Sequence, residues 1–139
     1  MKKTKLVVDF EFDFELVGIT SSTKFHKLCW SINNGIGLRL KKEEDFTLEN
    51  VDGREMTFIN YSHMDDSCEF ILFKNKSPDN DSHLILPEFP HFDYVLKING
   101  RFQTFASEEV IKQLREVKYI EYIAPISIDK LKSKVNFLY

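Results

Sequence analysis

One run near the start of the chain constrains its fold more than any other feature. Leu6, Val8, Phe10, Phe12, Phe14 and Leu16 take the even positions, and Asp9, Glu11, Asp13 and Glu15 take the odd positions between them. Side chains on a strand point alternately to its two faces, so a strict period of two places the apolar groups on one side and the acids on the other. The pattern predicts a strand, or two joined by a bend, in a sheet with one buried face and one hydrated face.

The rest of the chain adds helices and further strands. Phe25, Leu28, Cys29, Ile32 and Ile36 recur at helical spacing, with a Ser or Thr cap in front and Gly35 as the stop. Leu38–Leu40 reads as a short strand, giving a β-α-β start. Lys41–Arg54 is polar surface, apart from Phe46 and Leu48, which suggest another short strand. Met56–Ser62 and Cys68–Lys74 read as strands joined by a hairpin at His63-Met64-Asp65-Asp66, and residues 76–83 read as a loop. Asn99-Gly100 predicts a two-residue turn that folds Arg101–Phe105 back on Val95–Ile98, with Tyr94 opposite Phe105. Ser107 is placed to cap a helix with Glu108 and Glu109 in its first turn and Val110, Ile111, Leu114 and Val117 as its buried stripe. Tyr119–Ile123 reads as a strand stopped by Pro125. From about Asp129, Leu131, Val135 and Leu138 share one helical face. Together these elements predict a single globular α+β domain over residues 1–139. Its mainly antiparallel sheet has five to seven strands, with two or three helices packed on one face. Thr57-Phe58-Ile59 and Phe70–Phe73 are expected in central strands.

A chain of 139 residues, 42% hydrophobic and 29% charged, has ample material for a core and is not a disordered chain. Nineteen Lys and Arg against 22 Asp and Glu leave a net charge of −3, which opposes phosphate backbones and anionic lipids. No nucleic-acid or membrane partner is expected. Met1-Lys2-Lys3-Thr4-Lys5 resembles the front of an export signal, but only Leu6-Val7-Val8 follows before Asp9, short of the roughly 7–15 apolar residues such a signal needs. Cys29 and Cys68 form no CxxC pair and suit free thiols in a cytoplasmic protein. In that compartment the Asn-x-Ser triplets at Asn60, Asn75 and Asn80 carry no glycan.

Two clusters could carry chemistry. Along a strand, same-face neighbours lie ~6.5–7 Å apart, so a pair among Asp9, Glu11, Asp13 and Glu15 could hold a divalent cation. A solvated strand face explains the same residues, and no glycine-bearing calcium loop accompanies them. The second cluster is Leu86-Pro87-Glu88-Phe89-Pro90-His91-Phe92-Asp93-Tyr94. Its prolines stiffen a loop that could mount Glu88 and His91 as an acid/base pair, with Asp93 and Tyr94 as hydrogen-bonding groups. The structural alternative makes Phe89 and Phe92 core plugs, with Glu88 and Asp93 bonding nearby backbone N–H groups. His26, His63, His83 and His91 show no zinc spacing. Cys29 is expected as an inert buried thiol and Trp30 as a core residue. Lys130, Lys132 and Lys134 with Phe137 and Tyr139, extended by Lys112, Arg115 and Lys118, outline a basic-aromatic surface. Glu108, Glu109, Glu116 and Glu121 dilute its field. No P-loop, dinucleotide fingerprint or nucleophile elbow occurs, and no cofactor is expected.

Leu16-Val17-Gly18-Ile19, Leu28-Cys29-Trp30-Ser31-Ile32-Asn33, and Leu86-Pro87-Glu88 followed after four residues by Asp93-Tyr94 give the chain a resemblance to the IPExxxDY family. These are small bacterial proteins of the Bacteroidetes group, and the resemblance implies no established activity. The function expected is therefore a non-catalytic cytoplasmic domain that binds a second copy of itself or another protein. The alternative is a small enzyme or ligand-binding protein with its site around Pro87–Tyr94.

Overall fold

The computed structural model describes residues 14–49, 53–65, 68–80, 82–100, 106–129 and 131–137. In chain order the elements are β1 (Glu15–Thr20), α1 (Phe25–Ile36), β2 (Lys41–Lys42), β3 (Phe46–Glu49), β4 (Glu55–Phe58), β5 (Asn60–Met64), β6 (Cys68–Lys74), β7 (Tyr94–Gly100), α2 (Ala106–Leu114), β8 (Tyr122–Ile126) and a 3-10 helix (Lys132–Phe137). Six strands form one antiparallel sheet in the order β2-β5-β6-β7-β1-β8, and β3 and β4 pair as a separate two-stranded sheet. This is the expected α+β class.

The expected hydrated face is not observed, because both faces of the sheet are covered. Val17, Ile19, Leu72, Leu96, Ile98 and Ile123 face α1 and α2, meeting Phe25, Leu28, Ile32, Ile111 and Leu114. Leu16, Phe73, Val95 and Ile126 turn to the other side, where they meet Leu48 and Phe58 of the β3–β4 hairpin, Ile85, Leu86 and Phe92 of the long loop, and Leu131 and Phe137 around the 3-10 helix. The cause is visible in the residues. The acid alternation ends at Glu15, and Val17 and Ile19 then occupy the odd positions, as a strand buried on both faces requires. Asp9, Glu11 and Asp13, with the even apolar positions before Phe14, lie outside the described residues.

Other differences have equally local causes. No side-chain hydrogen bond caps α1, whose N-cap residue is Lys24. The helix ends at Gly37 instead of Gly35: Gly37 adopts φ 75° and donates its N–H to the Asn33 carbonyl at 3.0 Å. Leu38–Leu40 is a linker, tied down by the Asn33 side chain, which donates to the Leu40 carbonyl and accepts from its N–H. The run Met56–Ser62 is divided at Ile59, so Thr57 and Phe58 belong to the small sheet while β5 joins the large one. The predicted Asn99-Gly100 hairpin fails because both edges of β7 are already occupied. Tyr94 pairs with Lys74 on one side and Ile19 on the other, and β7 continues through Gly100, opposite Cys68. Its expected second arm, Arg101–Phe105, lies outside the described residues. Ser107 falls inside the first turn of α2 instead of before it. Pro125 does not stop the last strand but lies within β8, a position that edge strands tolerate. Among the described residues, no helix is long and apolar enough to cross a membrane.

Gly18 sets the fit between the sheet and the long loop. A Cβ at this position would lie 2.3–2.6 Å from the Phe92 ring. Gly18→Ala is expected to destabilise the protein by about 1–3 kcal/mol through overpacking, and adding Phe92→Leu should recover part of the loss in urea unfolding. Equal stability of Gly18→Ala and wild type would contradict this packing.

Burial pushes the Cys29 thiol up to about 12. Ionising this thiol is therefore harder in the folded than in the unfolded chain. The stability it contributes is complete below the unfolded value and is lost as pH climbs from about 9 toward 12. The alkaline fall in melting temperature should be shallower in Cys29→Ala than in wild type, and parallel profiles would contradict it.

Candidate functional site

The segment between β6 and β7 is organised by one side chain that the sequence marked only as the start of an Asn-x-Ser triplet, Asn75, which has no exposed surface. Its Nδ2 donates to the carbonyls of Phe92 at 2.8 Å and Phe89 at 3.2 Å, and its Oδ1 accepts the Leu86 N–H at 2.9 Å. The Asn75 main chain adds bonds to Asp93 and Ile85. A short amide side chain at a strand end can serve acceptors and donors on both sides of a loop at once. The loop is thereby pinned with Ile85, Leu86 and Phe92 buried and Pro87, Glu88, Pro90 and His91 exposed.

On this loop the four candidate side chains take separate structural partners. Glu88 reaches the start of the 3-10 helix. Its Oε2 accepts the N–H groups of Lys132 at 2.8 Å and Ser133 at 3.0 Å, and its Oε1 accepts the Ser133 hydroxyl at 2.5 Å. Burial pushes this carboxyl up, but those hydrogen bonds outweigh burial and hold it below its ordinary range. The exposed His91 ring lies 4.4 Å from the Phe92 ring. No hydrogen bond or ion pair joins it to Glu88. Asp93 accepts the Ser21 N–H at 2.9 Å and donates its own N–H to the Ile19 carbonyl, fastening the start of β7 to the end of β1. Tyr94 is buried, with its hydroxyl donating to the Thr23 carbonyl at 2.8 Å and its ring 4.9 Å from Phe25. Burial, then the Asp93 charge and the neighbouring Cys29 and Tyr61, push the phenol up to about 12, so it stays protonated near neutrality.

Two separate recesses border these residues. A shallow one of about 400 Å³ lies between Pro87, Glu88, Lys132 and Ser133. A cleft of about 200 Å³ lies on the other side, where Asp93 and Tyr94 meet Lys74, Lys76 and the Ser21–Thr23 turn. Glu121, just before β8, grips that turn, accepting the Ser22 N–H at 3.0 Å and its hydroxyl at 2.7 Å. These two bonds hold the Glu121 carboxyl below its ordinary range. The structure therefore brings Asp93 and Tyr94 together and leaves Glu88 and His91 outside their cleft. That arrangement provides hydrogen-bonding walls but no acid/base relay.

Of the proposed metal ligands, only Glu15 is described; it is half-buried at the start of β1, opposite Ile98. Among the described residues no three His, Cys, Asp or Glu side chains gather in a way that could hold a metal ion. Of the two aromatics expected on the basic-aromatic surface, Phe137 is fully buried against Phe73 and Phe14. Lys130 and Tyr139 lie outside the described residues. Trp30, expected in the core, is 66% exposed on α1. Its position was legible in the helical spacing, since it falls opposite the Phe25–Leu28–Cys29–Ile32 stripe.

Because the Glu88 carboxyl is held low by folding, its contribution to stability is present above the unfolded value near 4.5 and is lost as pH falls through the lower folded value. Glu88→Gln should flatten the acid limb of the stability profile below about pH 4.5. Its cost at neutral pH should be no more than about 1 kcal/mol, as the carboxylate is solvent-exposed. An unchanged acid limb would contradict the assignment of Glu88 as a tie to the 3-10 helix.

No protein-family model matches the chain, and no curated protein matches it in sequence.

Proposed function

We propose that this chain is a non-catalytic binding domain of the cytoplasm, acting on protein partners. The observation that carries this reading is the divergence of the loop's functional groups. Glu88, Asp93 and Tyr94 are each engaged in anchoring main chain, at two different recesses, and His91 stands apart from all three. Side chains fixed in this way supply rigidity, and a rigid scaffold suits binding. The family resemblance belongs to the same proposal: the Leu86-Pro87-Glu88 and Asp93-Tyr94 pieces on which it rests act here as loop anchors. Cytoplasmic residence is supported by both cysteines being free thiols, Cys29 buried and Cys68 half-buried.

A second reading, small-molecule binding, is favoured by one feature, the cleft beside Asp93, Tyr94 and Lys74. A metabolite whose protection against melting disappears in Lys74→Ala would establish it.

For the leading reading, Trp30→Ser is expected to fold with stability within about 0.5 kcal/mol of wild type, as substitutions at exposed sites usually do. Light scattering across a concentration series, and quantitative capture from cell extract, should show a complex that wild type forms and Trp30→Ser does not. A strictly monomeric chain that retains nothing beyond what Trp30→Ser retains would contradict the reading.

A further inference from the structure

The outward face of α1 carries an exposed tryptophan. Phe25, Leu28, Cys29 and Ile32 fix the helix on the sheet, leaving His26, Lys27, Trp30 and Asn34 exposed on the opposite arc. At about 100° per residue, His26, Trp30 and Asn34 form one ridge with Lys27 beside it. The helix sequence FHKLCWSINNGI contains no acid, and the exposed Lys24 extends the cationic side at its N-cap. The main chain of Lys118 lies against the same flank, where its carbonyl accepts the Ser31 hydroxyl at 3.0 Å, and its exposed ammonium sits 5.2 Å from the Tyr119 ring centroid. Glu121, which holds the turn just before the helix, is already engaged with Ser22. A chain of net charge −3 thus presents its one tryptophan on a helix face that carries lysine and no acid.

We propose that this face of α1 docks an acidic protein segment carrying one apolar side chain, which packs on Trp30 while its carboxylates face Lys24, Lys27 and Lys118. The inference rests on the binding-domain reading and names the partner's chemistry. Tryptophan surrounded by polar rim residues is the side chain most often found at energetic centres of protein interfaces. Charge complementarity then selects an acidic partner. A lipid surface fits less well, because the arc offers one large apolar side chain where an interfacial helix needs a broad apolar face. A nucleic acid is opposed by the net negative charge.

Trp30 is itself the reporter. The full chain would be titrated with dodecapeptides rich in Glu and Asp that each carry one Leu or Phe, with the same peptides bearing Lys in place of the acids, with phosphatidylserine vesicles, and with single-stranded RNA. A saturable blue shift of Trp30 emission with the acidic peptides is expected, weakening as salt rises and at least tenfold weaker in Lys27→Glu. Absence of that shift, or equal binding by Lys27→Glu, overturns the proposal, as does stronger binding to vesicles or RNA. A shift with the lysine peptides or with rising protein concentration would overturn the acidic partner while leaving the binding-domain reading intact. No shift with any probe, in a strictly monomeric chain that retains nothing from extract beyond what Trp30→Ser retains, would remove both.

Discussion

The buried amide of Asn75 is the interaction on which the loop, and with it the candidate site, depends. Three main-chain groups, one N–H and two carbonyls, are satisfied by this one side chain. Without it the Phe92 carbonyl and the Leu86 N–H would lose their partner inside the protein, and an unpaired buried polar group is among the more costly defects a fold can carry. With it in place, Phe92 seats against Gly18, Leu86 enters the second core, and Glu88 is delivered to the 3-10 helix. The cleft beside Asp93 and the recess beside Glu88 are consequences of this arrangement.

The doubly covered sheet limits how the protein can meet a partner. One outer strand is β8, with Pro125 inside it; the other is β2, only two residues long, both of them exposed lysines. Proline and lysine at sheet edges discourage the addition of a further strand. With both faces occupied and both edges guarded, the sheet offers little surface for a further strand, while Trp30 projects from the helical layer.

Much of this was legible in the sequence wherever a segment's own residues decide its structure. The bounds of β6, Cys68–Lys74, followed from its apolar run, and the buried stripe of Val110, Ile111, Leu114 and Val117 from helical spacing. Partners distant in sequence decided the rest. The Asn99-Gly100 turn preference is real, but pairing with β6 and β1 outweighs it. Gly35 looked like a helix stop, yet it lies within α1, where a Cβ would stand 2.7 Å from Val117. For the candidate site, Glu88 and Asp93 do accept backbone N–H groups, but those of Lys132, Ser133 and Ser21, far away in sequence, and not the nearby ones that the structural alternative expected. Asn75 carried no signal beyond its place between a strand and a loop, since its partners lie 11–17 residues away.

The central claim is that the Leu86–Asp93 loop is framework, held by Asn75. Urea unfolding of Asn75→Leu, which keeps the approximate shape and removes the three side-chain hydrogen bonds, tests this directly. The account requires a loss of about 3 kcal/mol or more, together with loss of hydrogen-exchange protection at the Leu86 amide. A variant with wild-type unfolding free energy and a protected Leu86 amide would contradict it.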